Sequence, residues 1–183
     1  MPSPVGHTLA GCCLAAMAAR GDRRAPAAIG APFVAAVLVA ANLPDVDFLL
    51  GPILRPLGVA LAHQGPTHSL AFVGNGALFL ALAARGALRP LRAFGWLLAA
   101  GALHLLLDYV SHDDVAPIGL PFLWPLAGDY FHSPIDLFPG TDRDEPLSVR
   151  NVLQLLAELA WTLPPLLLLL RSRLHGATQG GRA

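Results

Sequence analysis

Seven residues of this chain have side chains suited to holding a divalent cation and stand at spacings that can gather them: His7, Asp45, Asp47, His63, His68, His104 and Asp108. Imidazole nitrogen and carboxylate oxygen together bind borderline metals, and one carboxylate can bridge two ions. His104 and Asp108 are four residues apart, so on a helix both face one side and can share an ion or hydrogen-bond each other. They lie inside an apolar run, where an ionisable group is costly unless it is paired or functional. In Asn42-Leu43-Pro44-Asp45-Val46-Asp47 the proline disfavours helical geometry at the residue before it, so a helix is expected to end there. On extended chain, two carboxylates spaced by two then point the same way. In His63-Gln64-Gly65-Pro66-Thr67-His68-Ser69, Gly65-Pro66 marks a turn, Pro66 suits a first helical turn, and Thr67 or Ser69 can cap it. Two imidazoles thus flank a helix N-terminus, itself a favourable place for a phosphate or carboxylate oxygen.

The elements that must carry these residues are apolar. Of 183 residues, 55% are hydrophobic and 13% charged, against about 25% charged in an ordinary soluble domain, and the mean hydropathy is +0.57. Twelve basic residues, all arginine, balance twelve acidic ones, so no basic field exists to attract nucleic acid. Cys12 and Cys13 are adjacent in an apolar run, which rules out a disulfide framework or a four-thiolate zinc site and reads as small buried residues. A spanning helix needs about 20 mostly apolar residues. Runs of that kind occur at Met1–Ala19, Ala25–Leu43, Pro66–Ala84, Ala93–Leu107 and Val152–Leu170. Phe48–Ala62 is shorter and broken by Pro52, Arg55 and Pro56, which suggests a re-entrant or interfacial segment. The expectation is an all-α polytopic membrane bundle of about five transmembrane helices plus that segment, one domain over 1–175, with a disordered polar tail at 176–183. Met1–Ala19 lacks the basic start of a secretory signal and reads as a mature helix.

Arginine distribution orients the bundle, because cytoplasmic loops retain positive charge. Arg20, Arg23 and Arg24, then Arg85, Arg89 and Arg92, then Arg171 and Arg173 follow alternate spans and share one side, whereas Arg55, Arg143 and Arg150 fall on the other. The seven candidate ligands then come from four helices and meet at the outer face. At about 1.5 Å per residue, Arg20 to His7 spans roughly 20 Å and Arg92 to His104 roughly 18 Å, so the depths agree. Glu158, inside the last span, reads as a hydrogen-bond partner within the bundle. His112, Asp113 and Asp114, and beyond them Asp129, His132, Asp136 and Asp142-Arg143-Asp144-Glu145, read as solvated. Val115–Pro146, with Trp124, Tyr130 and Phe131, suits a cap at the membrane surface.

The order of His7, Pro44-Asp45-Val46-Asp47, His63-Gln64-Gly65-Pro66-Thr67-His68-Ser69 and His104-Leu105-Leu106-Leu107-Asp108 resembles the YdjM-like family of inner-membrane metal-dependent hydrolases, described as LexA-regulated in some bacteria. The similarity covers approximately Met1 to Pro125, and the family pattern has arginine where this chain has Gln64. The resemblance implies a multi-pass protein of the bacterial inner membrane whose His and Asp residues bind metal, with hydrolase activity inferred for most members. The residues themselves favour Zn²⁺, or else Mn²⁺ or Fe²⁺, as one or two ions. His68, His104, Asp108 and Asp45 make the expected first set of ligands, followed by His7 and His63. Asp47 either bridges or serves as general base, and Asp47 and His63 are the candidate catalytic groups. A site at the membrane surface suggests an ester of a lipid or lipid-linked substrate. A divalent-cation transporter, or a non-catalytic membrane scaffold, is the alternative.

Overall fold

The computed structural model is all-helical and describes residues 1–20, 30–59, 63–84, 88–142 and 145–180, with side chains through 171. The helices are α1 (Pro4–Arg20), α2 (Ala31–Asn42), α3 (Val46–Leu54), α4 (Leu70–Ala83), α5 (Pro90–Tyr109) and α6 (Val149–Gly180). Short 3-10 turns occupy Leu43–Asp45, Arg55–Leu57 and Pro66–His68. Arg23, Arg24, Arg85, Arg143, Asp144 and the last residues of the expected tail, 181–183, lie outside the described residues, as does the side chain of Arg173. α6 itself continues to Gly180, through the first part of the segment whose composition suggested a polar tail.

Small residues let these helices approach closely. α5 buries Ala93, Leu97, Ala100, Gly101, His104, Leu105 and Asp108, a stripe at three- and four-residue spacing whose last turns are the ligand pair. α4 buries Val73, Ala77 and Ala81, and α2 buries Phe33, Ala36, Val37, Ala40 and Ala41. A side chain added at Gly101 would meet Val73 Cγ1 at 2.5 Å, so α4 and α5 cross here on a glycine, as membrane helices commonly do. α1 packs against α2, α5 and α6, α2 also packs on α5, and α4 on α5. Cys12 and Cys13 are half-buried rather than buried, because α1 turns this face partly outward; Cys13 Sγ lies 3.5 Å from the Thr162 carbonyl of α6.

Among the described residues, three helical runs are long and apolar enough to cross a membrane: Ala31–Leu57, Pro90–Tyr109 and Val149–Arg171. Leu70–Ala83 is a shorter apolar helix, and α1 has 17 residues. The first run corrects one expectation. α2 stops at Asn42 as Pro44 requires, yet the chain does not become extended; a 3-10 turn carries it into α3 with the Val46 amide donating to the Leu43 carbonyl. Phe48–Leu57 is thereby part of a helical run of 27 residues. Pro44 has no N–H to continue the α-helical ladder, so the chain tightens into a 3-10 turn at this point and resumes as α3.

One contact fixes α1 to α6. Glu158 is buried and accepts hydrogen bonds from the Ser3 amide, from Ser3 Oγ at 2.6 Å and from Gln154 Nε2 at 2.8 Å. Gly6 makes room for it, since a Cβ there would stand 2.7 Å from Glu158 Cδ. Gly6→Ala is therefore expected to push the carboxylate off Ser3 and to destabilise the protein by about 1–3 kcal/mol, the usual range for overpacking. Thermal unfolding in detergent checks this, and an unchanged midpoint would refute the close-fit account.

Candidate metal centre

The beginning of α1, the end of α2, the turn before α4 and the end of α5 meet at one end of the bundle, opposite Arg20, Arg89, Arg92 and Arg171. All seven sequence-identified residues are there. His7, His68, His104 and Asp108 are at most 1% exposed, in keeping with an intramembrane or deeply covered site. Nε2 of His68, Nε2 of His104 and Oδ2 of Asp108 form a triangle with sides of 3.4, 3.4 and 3.1 Å. Asp45 Oδ1 is 3.5 Å from His68 Nε2 and 3.7 Å from His104 Nε2. Four ligands at about 2.0–2.1 Å around tetrahedral zinc are separated by roughly 3.3–3.4 Å. Two overlapping groups, His7 with His104 and Asp108 and Asp45 with His68 and His104, are each close enough to hold a cation.

The imidazoles are oriented for that task. His104 Nδ1 lies 2.8 Å from the Ala41 carbonyl, which can only accept, so the proton is on Nδ1 and the Nε2 lone pair faces the cluster. Thr67 Oγ1 donates its own proton to Asp47 Oδ2 and so accepts from His68 Nδ1 at 3.1 Å, which turns the His68 Nε2 lone pair inward as well. His7 stacks on His104, ring centroids 3.7 Å apart, and brings Nε2 within 3.4 Å of Asp108 Oδ1. Asp108 thus presents one oxygen to His7 and the other to His68 and His104. Both oxygens of Asp108, Oδ1 of Asp45 and both ring nitrogens of His7 are buried without a hydrogen-bond partner among the described residues. Buried polar atoms are rarely left so, and buried anionic oxygens least of all.

Asp45 and Asp47 stand on 3-10 and helical backbone instead of extended chain, which rotates them by roughly 200–240° about the axis, yet one oxygen of each comes within reach of His63. Asp47 Oδ1 takes His63 Nδ1 at 2.9 Å and Oδ2 takes the Thr67 hydroxyl at 3.1 Å. Asp47 therefore orients His63 directly and His68 through Thr67, while Asp45, Asp47 and His63 form a third group close enough to hold a cation. His63 Nε2 lies 2.9 Å from Met1 Sδ. Ser69, not Thr67, caps α4, its Oγ accepting from the Phe72 amide at 3.1 Å. Thr67 and the Ala41 carbonyl are the contributors that residue type alone concealed. Gln64 is buried with φ of 59°, in the left-handed region.

The loop after α5 folds back over this end. The Leu120 amide donates to Phe131 carbonyl at 2.8 Å, His112 amide to Phe138 at 2.9 Å, and the first amide of α4, at Leu70, to Phe122 at 3.0 Å. Some of its polar residues are linked. Asp136 takes His112 Nδ1 at 2.7 Å and His132 Nε2 at 3.1 Å, and Arg150 donates to Asp114 Oδ2 at 2.8 Å. The Asp114 carboxyl is held below the ordinary range by that guanidinium, and Asp136 chiefly by His112. His112, Asp114 and Asp136 are exposed, as the solvated reading expected, and their pairs tie the loop to α6 and to the end of α5.

Apolar spans, small-residue crossings and a buried His/Asp cluster at one end define a polytopic helical membrane protein with a potential metal centre. The chain belongs to the YdjM inner membrane protein family, whose pattern matches residues 1–168. It is similar to the inner membrane protein YdjM of Escherichia coli (strain K12) and of Shigella flexneri, with 36% identity over 103 residues in each case. That stretch is 50% of this chain and 48% of each relative, so the alignment spans about half the length of both curated relatives. No solved structure matches the chain. The family and the apolar helices place the protein in the inner membrane.

Proposed function

We propose that the protein is a membrane-bound metal-dependent hydrolase acting, through an activated water, on a phosphoester or other ester of a lipid or lipid-linked substrate. The observation that carries this reading is the set of buried, unpartnered carboxylate oxygens facing imidazole nitrogens whose tautomers are fixed toward them. His68, His104, Asp108 and Asp45 would hold one cation, and His7 with the second oxygen of Asp108 offers places for another. A cation bound there lowers the pKa of water towards about 7 and polarises a phosphoryl or carbonyl oxygen, so that no serine or cysteine nucleophile is required. Asp47 holds the His63 ring at Nδ1, and His63 Nε2, which meets Met1 Sδ at 2.9 Å, would accept and return a proton beside the scissile group once that sulfur is displaced. Thr67 keeps His68 turned inward. The loop over the end of α5 limits the entry of bulk water, which strengthens each of these interactions.

In this reading α1, the α2–α3 run, α4, α5 and α6 make five crossings. The arginine-rich end is cytoplasmic and the site opens at the outer surface. A test begins with metal content by mass spectrometry of detergent-purified wild type, His68→Ala and Asp108→Ala, followed by release of phosphate or alcohol from phospholipid and polyprenyl phosphate substrates. About one or two equivalents of zinc, manganese or iron in wild type, lost in folded variants, with chelator-sensitive turnover, is the expected result. Metal-free protein after reconstitution would refute it in favour of a scaffold. Cation uptake into vesicles without turnover would refute it in favour of a transporter.

A further inference from the structure

Two cavities of opposite character flank the cluster, and Phe48 lines both. One, of about 580 Å³, lies between the start of α1 and the α2–α3 run; Pro4, Val39, Val46, Phe48 and Leu49 form its apolar wall, and Asp45 is the acidic residue in it. The other, of about 410 Å³, contains Asp47, His63 and Arg55 beside Gly51 and Pro52. Both are within the roughly 300–1,000 Å³ of small-molecule sites. Val39, Phe48 and Leu49 are exposed on the outside of the bundle, so the apolar cavity is continuous with surface that lipid would cover. Among the described residues no carboxylate pairs with Arg55, although Asp47 lines the same cavity. From this arrangement we infer that the substrate is an anionic amphiphile: one hydrocarbon chain lies in the Val39–Phe48–Leu49 cavity, its phosphate faces Arg55, and the ester between them reaches Asp45 and the cluster.

The inference rests on the hydrolase reading for the fate of the ester, but its binding claim stands apart. The chain cavity supplies hydrophobic burial without selectivity for head groups. Arg55 supplies charge-assisted, forked hydrogen bonding to phosphate, which selects anionic over neutral lipids. Neither Val39 nor Arg55 is among the His and Asp residues of the cluster, so each can be altered with every candidate ligand retained.

The probe is dioleoyl phosphatidic acid, compared with dioleoylglycerol and with inorganic phosphate, titrated into detergent-solubilised full-length protein and read by native mass spectrometry. Wild type is expected to bind phosphatidic acid about tenfold or more tighter than dioleoylglycerol, the ratio that one charged hydrogen-bonding group supplies. Arg55→Gln should bring the two lipids together and leave dioleoylglycerol unchanged. Val39→Trp should weaken both lipids about tenfold by filling the cavity, with Val39→Phe as the milder variant should the first unfold. Metal content should be that of wild type in all three. Preference retained in Arg55→Gln, unchanged lipid binding in a folded Val39 variant, or inorganic phosphate bound as tightly as phosphatidic acid would each overturn the inference. Turnover failing while this binding pattern holds would sink the hydrolase reading alone.

Discussion

Asp108→Asn is expected to reduce bound metal from about one or two equivalents to below about a tenth of that, and to abolish turnover. The carboxylate faces three imidazoles with its two oxygens, and it is fully buried. Asparagine preserves the shape but removes the charge and turns one oxygen into a donor, so both directions of contact fail together. Asp47→Asn provides the contrast. Its oxygens are occupied by His63 and Thr67, so it acts on the cluster through other side chains. Loss of such orienting partners typically costs about 10–100-fold in metal affinity or activity. Mass spectrometric metal analysis of both variants at matched folding, judged by circular dichroism, separates the two roles. Equal metal loss in Asp47→Asn and Asp108→Asn would show that Asp47 is itself a ligand.

Removing the cation should have the second large effect. A ligand that binds only the native state stabilises it by about 4 kcal/mol when present at a thousand times its dissociation constant. For a domain of this size each kcal/mol corresponds to about 2–4 °C, so chelation is expected to lower the melting temperature by roughly 8–16 °C. The structural reason is local. Without a cation, Asp45 and Asp108 keep buried anionic oxygens with no hydrogen bond, which is a cost the native state alone bears. Readdition of zinc or manganese should restore the melting point in wild type and leave Asp108→Asn unmoved. A wild-type melting point indifferent to chelator and metal would show that histidine protonation alone compensates these carboxylates.

The sequence made the cluster legible where chemistry and helical periodicity coincide. His104 and Asp108 continue the buried stripe begun by Ala93, Leu97 and Ala100, so their depth and shared face followed from spacing alone. The shared depth of His7 and His104 followed from counting rise along apolar spans, and turn chemistry narrowed the cap of α4 to Thr67 or Ser69, of which Ser69 serves. The relation between Asp45 and Asp47 did not follow, because it depends on whether the chain after Pro44 is extended or helical, and the local preference for a break was overridden by a 3-10 turn. Nor could the sequence reveal that the partner of His104 is a main-chain carbonyl, which every residue possesses, or that Asp136 would meet His112 and His132 across a loop. Such contacts depend on tertiary closure, for which the residue pattern carries no period.

Pro44 has a further consequence. It stands three residues after Ala41 and has no N–H, so the tightened turn cannot close a bond onto the very carbonyl that receives His104 Nδ1. Pro44→Ala would add an amide able to compete for that carbonyl and would make the backbone a better helix. Stability and cation affinity are therefore expected to move in opposite directions in this variant: a higher melting point in chelator, and weaker metal retention in dialysis. At this position the fold forgoes regularity so that a distant ring has an acceptor, a trade-off of structural economy against function that a scan for thermostable variants would select in the wrong direction.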